Sequence, residues 1–314
     1  MALLSFKKNT GLSLGIEFGE TGIALVARAR NAAKNSLVAV GFIEAEDSLV
    51  AHADSQLLIE RFIDQHKLKG CACHIVLAAK DYQLLLAEAP DVPDDELRDA
   101  IRWRVKDLLS QGVEQTALDT FRLPKDGMKG GKSMAYVVAA ESQLIRKLID
   151  FVADLNLDLR SIDIGEMALR NVSLLLDAGK PEGRGVGIVR IRENGGTVAL
   201  YRAGNLYLSR QFRMNYKGGL LDELPEDELA LEIQRSLDYY ERQMGLSLPA
   251  AIYVCGENIS SDKINDRLKR ALTLPIDVLD TAGLPFEVDE TTDPGIMQQC
   301  IAALGGSIRD EVAA

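Results

Sequence analysis

Three things are scarce in this chain, and each scarcity removes a class of protein. Cysteine occurs only four times in 314 residues, as Cys71, Cys73, Cys255 and Cys300, too few for the disulfide framework on which small extracellular domains depend. Positive charge is in deficit: 36 Lys and Arg stand against 47 Asp and Glu, a formal net charge of -11. The broad basic surface needed for sequence-independent phosphate-backbone binding is therefore missing, and no nucleic-acid partner is expected. Long apolar runs are missing too. No stretch approaches the roughly 20 residues that cross a bilayer, and the N-terminus lacks the apolar core and small-residue cleavage site of a secretory signal. A cytoplasmic location is expected. Aromatic residues make up 5% of the chain, with a single tryptophan, Trp103.

What is present is the composition of an ordinary globular protein, 47% hydrophobic and 26% charged, long enough for two domains or one large bilobed one. Two short stretches invite special readings. "MALLSFKK" carries Leu3, Leu4 and Phe6 ahead of Lys7 and Lys8. Eight residues would give only weak attachment to an anionic membrane, and a frayed terminus is the preferred reading. "CACH", Cys71 to His74, has a zinc-like spacing, but no second ligand pair follows and the run leads into the apolar "IVLAA". Buried strand cysteines are expected there.

The chain repeats a unit. From Leu12 onward "LSLGIEF", "GIALVARAR" and "LVAVGFIEA" alternate as three strands, "DSQLLIERFIDQHKLKG" has helical spacing, and "CHIVLAA" reads as a buried strand. From Gly185 the same grammar returns: "GVGIVRI", "TVALYRA" and "LYLSRQF", a long helix from about Glu226 to Met244, and the strand "AAIYVC". Two β-β-β-α-β units facing one another across a cleft are the plan of the actin-like ATPase fold, a duplicated ribonuclease H-like α/β architecture. In that plan the first hairpin turn of each unit points at nucleotide phosphates.

Between the units lies a block of different grammar: the strand "DYQLLLAEAP", the helix "VPDDELRDAIRWRVKDLLS", the strands "TALDTFRLP" and "MAYVVAA", the helix "ESQLIRKLIDFVADLN" and the strand "LDLRSIDI". The Gly- and Lys-rich loop "KDGMKGGKS", Lys125 to Ser133, interrupts it. The expected division is a first lobe at 9–80, an inserted α+β subdomain at 81–162 and a second lobe at 163–308. Trp103 falls off the apolar stripe of the inserted helix. It is either a partner contact or a side chain lying over a neighbouring loop.

Three stretches, "DYQLLLAEAPDVPDDELRDAIRWRVKDLLSQ", "AAESQLIRKLIDFVADLNLDLRSIDIGEMALRNV" and "LALEIQRSLDYYERQ", resemble the PilM family of type IV pilus assembly proteins, and within it the MshI proteins of mannose-sensitive haemagglutinin (MSHA) pilus biogenesis. The resemblance runs in one order from Gly11 to about Ile308. It implies an actin-like fold with the extra subdomain found also in the cell-division protein FtsA. It further implies a cytoplasmic scaffold, peripheral to the inner membrane, that binds the cytoplasmic tail of a PilN-like partner (MshJ-like in the MSHA system) and couples the platform to the pilus motor ATPase. Many members of the family hold ATP or ADP with magnesium.

The nucleotide elements carried over by this resemblance are Glu17, Gly19, Thr21 and Gly22 in the first turn, Arg190, Gly195 and Gly196 in the second, and Gly256 on the adenosine side. Each is eroded. Glu17 replaces an aspartate, Glu20 sets a negative charge toward phosphate, Arg190 stands where a second aspartate is expected, and Glu257 replaces one glycine of a pair. Arg190 or Arg192 could pair with phosphate in place of metal, but Asn194-Gly195 is also a plain hairpin signal. The pattern predicts little or no ATP hydrolysis, because the acid that organises magnesium is missing, and leaves weak nucleotide binding open. For the partner tail, Leu84 and Leu86 on one strand face and Trp103 are the expected contacts, in a groove between the inserted subdomain and the first lobe. An ATPase or kinase on the same fold is the alternative. A division-protein anchor is disfavoured because "SIRDEVAA" is not an amphipathic membrane helix.

Overall fold

Alternation along the first strands decides where each layer sits. A computed structural model describes residues 9–30, 36–45, 53–127, 132–177, 183–219, 221–287 and 293–312. The stretch Met1 to Lys8 and residues 128–131 of the Gly- and Lys-rich loop lie outside these. In β1 (Asn9–Phe18) the side chains of Leu14, Ile16 and Phe18 point to one face, and Ser13, Gly15 and Glu17 to the other. The apolar face joins β2 (Gly22–Ala29), β3 (Leu37–Glu44), α1 (Ala53–Gln65) and β4 (Cys71–Leu77) in one core through Ile23, Leu25, Ile59, Ile63 and Ile75. Cys71 and Cys73 are buried in that core as expected, while His74 points to the opposite face and hydrogen-bonds the Ser161 hydroxyl at 2.9 Å. No His/Cys/Asp/Glu cluster among the described residues could hold a metal.

After β4 the chain leaves the sheet. β5 (Tyr82–Glu88), α2 (Asp94–Val105), β6 (Thr116–Arg122) and β7 (Met134–Glu141) make a three-stranded antiparallel sheet in the order β5-β7-β6. α2 covers one face, with Leu97, Ile101 and Val105 packed on Ala135, Val137, Leu85 and Ala87. The chain returns through α3 (Ser142–Asp154) to β8 (Asp158–Ile164), then runs into α4 (Gly165–Asp177).

β8 corrects the expected division. The sequence reading places it inside the inserted subdomain, but it pairs in parallel with β4, so the first sheet is β3-β2-β1-β4-β8. A buried strand next to a helix looks the same whichever sheet receives it, and only the pairing partner distinguishes the two.

The second unit repeats this order. β9 (Val186–Arg192), β10 (Gly195–Arg202), β11 (Asn205–Arg213), α5 (Glu226–Met244), β12 (Ile252–Gly256), α6 (Asp266–Ala271) and β13 (Ile276–Val278) give the sheet β11-β10-β9-β12-β13. Both sheets are antiparallel through their first three strands and parallel through the rest. The duplication read from the sequence is thus realised strand for strand, with α6 standing where the first unit carries the insertion and α3.

The last helices are α7 (Pro294–Gln299), α8 (Ile301–Ser307) and α9 (Arg309–Val312). They follow the second lobe in the chain, yet α8 packs on β1, β2 and β4 of the first, and against α4. This explains the small and polar face of β1: a Cβ on Gly15 would lie 1.9 Å from the Ala303 carbonyl oxygen. Ser13 and Arg28 donate to the Ser307 carbonyl at 2.8 and 3.2 Å. α4 in turn packs on β9 and β11, so the helices that end the two units are sandwiched between the two sheets and bind the lobes together.

Candidate functional site

The first hairpin turn, Gly19 to Gly22, is closed by a hydrogen bond from the Gly19 N–H to the Gly22 carbonyl at 2.8 Å. In the second, Asn194 adopts φ 60° and Gly195 φ 157°, a geometry that an Asn-Gly pair supplies at low cost. Both turns and the end of β12 open onto one cleft, lined by Glu17, Gly19, Glu20, Thr21, Arg190, Arg192, Glu193, Gly256 and Glu257, with Gln298 and Gln299 of α7 on its rim. The structure therefore brings together Glu17, Gly19, Thr21, Arg190 and Gly256. It does not bring Gly22, Gly195 or Gly196 to the cleft. Gly22 sits against the Ile43 carbonyl and the Phe42 ring, and Gly195 and Gly196 sit against the Phe212 carbonyl and ring within the second sheet. Gly256 has φ 136°, and a Cβ there would lie 2.1 Å from the Ile191 carbonyl. Its glycine is required by the closeness of β12 to β9, whether or not a purine approaches.

An ion pair between the lobes forms part of the cleft wall. Arg190 of β9 donates to the Glu17 carboxylate of β1, and the two side chains are only 13% and 5% exposed. Burial works against the charge on Arg190, but the adjacent Glu17 carboxylate and its hydrogen bond outweigh burial and hold the guanidinium's pKa above its ordinary value. The remaining charge is unfavourable for a polyphosphate. Glu20, Glu193 and Glu257 face the cleft with only Arg192 to offset them. Glu257 is itself pushed upward by burial and by Glu193 and Glu44, against an opposing hydrogen bond from Thr21. The free space is about 50 Å³, well below the roughly 300–1,000 Å³ of pockets that hold small molecules and cofactors.

Sequence reading missed a second polar cluster beside this pair. Glu166, in the first turn of α4 and 3% exposed, accepts from the Tyr82 hydroxyl on one carboxylate oxygen and from the Ser209 hydroxyl at 3.0 Å on the other, while Tyr201 donates to its main-chain carbonyl at 2.7 Å. In sequence Glu166 looks like an ordinary acid at a helix start, and no local signal marks its partners 84 and 43 residues away. Asp163, near the end of β8, pairs with Arg309 of α9 at 3.2 Å.

The three expected partner contacts are not brought together. Leu84 and Leu86 pair across to Val138 and Tyr136, on the face of the small sheet away from α2, and Leu84 packs into the two main cores. Trp103 projects from α2 on the other side and is 62% exposed; Leu86 is 39% exposed.

No family model matches the chain, and no curated protein matches it. Solved structures do. The PilM–PilN type IV pilus biogenesis complex is similar at 16% identity, with a TM-score of 0.72 over 95% of this chain and 98% of that one. The cytoplasmic domain of EpsL, an inner-membrane component of the type II secretion system of Vibrio cholerae, matches at 14% identity and a TM-score of 0.52, over 96% and 95% of the two chains. A protein with an actin-like ATPase fold from Bacteroides thetaiotaomicron matches at 10% identity and 0.52, over 88% and 93%. At these identities the likeness defines a class: the protein has the actin-like ATPase fold. Within that class, its match to the PilM–PilN complex spans nearly the full length of both chains, inserted subdomain included.

Proposed function

We propose that this chain is a PilM-like, and within that family MshI-like, assembly protein. It acts as a cytoplasmic scaffold that docks on the inner-membrane platform of a type IV pilus by holding the cytoplasmic tail of a PilN- or MshJ-like partner, and couples that platform to the pilus motor ATPase. The observation that carries an assembly role over an enzymatic one is the Glu17–Arg190 ion pair. It sets a cation, already paired with an internal acid, in the wall of the cleft, where phosphoryl transfer requires bound metal and in-line positioning of phosphate. Support for the pilus setting comes from the near full-length similarity to the PilM–PilN complex and to EpsL and from the three stretches that resemble the PilM family. In this reading ATP with magnesium is not turned over; Glu17, Gly19 and Thr21 are remnants of a phosphate cradle and Gly256 of the adenosine side, with Arg190 in place of the second acid. Leu86 at the outer edge of the small sheet and Trp103 on α2 are the exposed apolar side chains offered to a partner.

Co-purification with the proteins of its own pilus operon tests this. The full-length partner is expected to be retained and the partner lacking its cytoplasmic tail to be lost. Equal retention of both removes tail capture. Magnesium-dependent ATP turnover that disappears in Glu17→Ala would favour the ATPase reading instead.

A further inference from the structure

The Glu166 cluster and the Glu17–Arg190 pair are neighbours. A Cβ placed on Gly165 would lie 3.7 Å both from the Arg190 guanidinium and from the Tyr82 hydroxyl. Three bodies meet at this point. Glu17 belongs to the first sheet and Glu166 to the helix that follows it; Arg190, Tyr201 and Ser209 belong to the second sheet; Tyr82 is the first residue of β5, where the inserted subdomain leaves the first lobe. A second side chain of the inserted subdomain reinforces the junction: the Tyr136 hydroxyl donates to the Tyr207 carbonyl at 3.2 Å and receives the Ser209 N–H at 3.3 Å.

Glu166 is a buried carboxylate whose two side-chain hydrogen bonds come from different bodies, Tyr82 from the insertion and Ser209 from the second lobe. Withdrawing either leaves a buried acceptor unsatisfied, a cost borne in full by the folded state. We propose that this seam is an interlobe lock. It holds the two lobes and the inserted subdomain in one closed arrangement, and a displacement of the inserted subdomain at Tyr82 is relayed through Glu166 and Arg190 to the cleft. The elements that such a relay needs are present: a guanidinium paired with Glu17 and lying beside the Tyr82 hydroxyl at Gly165, and the Glu166 carboxylate that accepts from that hydroxyl at the root of the moving part. The lock does not depend on the proposed role in pilus assembly, and its test uses the protein alone.

All four native cysteines are buried, so spin labels can be directed to cysteines introduced at exposed Lys69 on the first lobe, Asp277 on the second and Lys132 on the inserted subdomain. Pulsed dipolar spectroscopy then reads the distances between bodies. The unmodified seam is expected to give a narrow Lys69–Asp277 distribution. Tyr82→Phe removes one hydroxyl from the insertion and is expected to broaden or lengthen that lobe-to-lobe distance, although Tyr82 lies in neither large sheet. Amide exchange at Ile191 should rise at least about tenfold in the same variant. Glu166→Gln is expected to act in the same way, and Tyr82→Phe carries the test if Glu166→Gln does not fold. Glu232→Gln, which breaks the Arg210–Glu232 pair inside the second lobe, should leave the distribution narrow. An unchanged Lys69–Asp277 distance in folded Tyr82→Phe overturns the lock. So does a change confined to Lys132–Asp277, because Tyr82 then only anchors the insertion, and so does equal broadening in Glu232→Gln.

Discussion

Glu17 and Arg190 show how one residue's meaning depends on another far away in the chain. Each alone reads as a departure from a nucleotide-binding pattern; together they neutralise one another inside the cleft. Replacing a buried ion pair by matched apolar side chains is often nearly neutral, whereas removing one partner strands a buried charge, at about 3–5 kcal/mol. Glu17→Gln is therefore expected to lower stability by an amount in that range, measured by denaturant unfolding, and Glu17→Leu combined with Arg190→Met to lower it by clearly less. Equal losses for the single and the double variant would mean that the pair does not carry the junction. His74 illustrates the opposite outcome for a chemically suggestive residue. Wholly buried, with its imidazole pushed down to about 4, chiefly by burial, it is a neutral packing residue bonded to Ser161.

Among elements, α8 determines the arrangement of the lobes. Its sequence, "IAALGGS", offers little side-chain bulk, and that lack of bulk allows its backbone to lie directly on β1 and beside α4. The requirement is reciprocal, because Gly15 on β1 leaves room for Ala303 and any larger residue collides with helix backbone. Gly15→Ala is expected to cost about 1–3 kcal/mol as overpacking. The loss should appear as a lower thermal midpoint and as faster amide exchange in α8 before the rest of the chain. Uniform exchange across both lobes would show instead that α8 is not a separate docking element. The inserted subdomain follows another logic. Its three strands and one helix bury a core of their own around Leu97, Ile101 and Val137, and they meet the second lobe through Leu84, Phe121, Leu123 and Met134 as well as through the hydroxyls of Tyr82 and Tyr136, which donate across the boundary.

For the whole molecule, duplicated sheets with closed tips leave about 50 Å³ between the lobes. A ligand that binds only the folded state at a hundred times its dissociation constant adds about 2.7 kcal/mol, which moves a thermal midpoint by several degrees. Titration with magnesium and ATP is expected to give no such shift. A saturable rise of several degrees would show that the lobes open to admit nucleotide and that the ion pair yields to it.

The sequence by itself determined the elements and their repetition. Period-2 and period-3.6 patterns depend on which side of a segment is buried, and that is legible wherever one face meets a core. Hence three strands, a helix and a strand were visible twice, and α5 was readable at its full length. The turn chemistry of Asn194-Gly195 and the buried state of Cys71 and Cys73 were legible for the same local reasons. Only the tertiary structure decided which sheet receives β8, that α8 crosses to the first lobe, that Leu86 and Trp103 lie on opposite sides of the small sheet, and that Glu17 meets Arg190 while Glu166 meets Tyr82 and Ser209. These are pairings between segments tens to hundreds of residues apart, fixed by how the lobes pack against one another, and no local pattern encodes them.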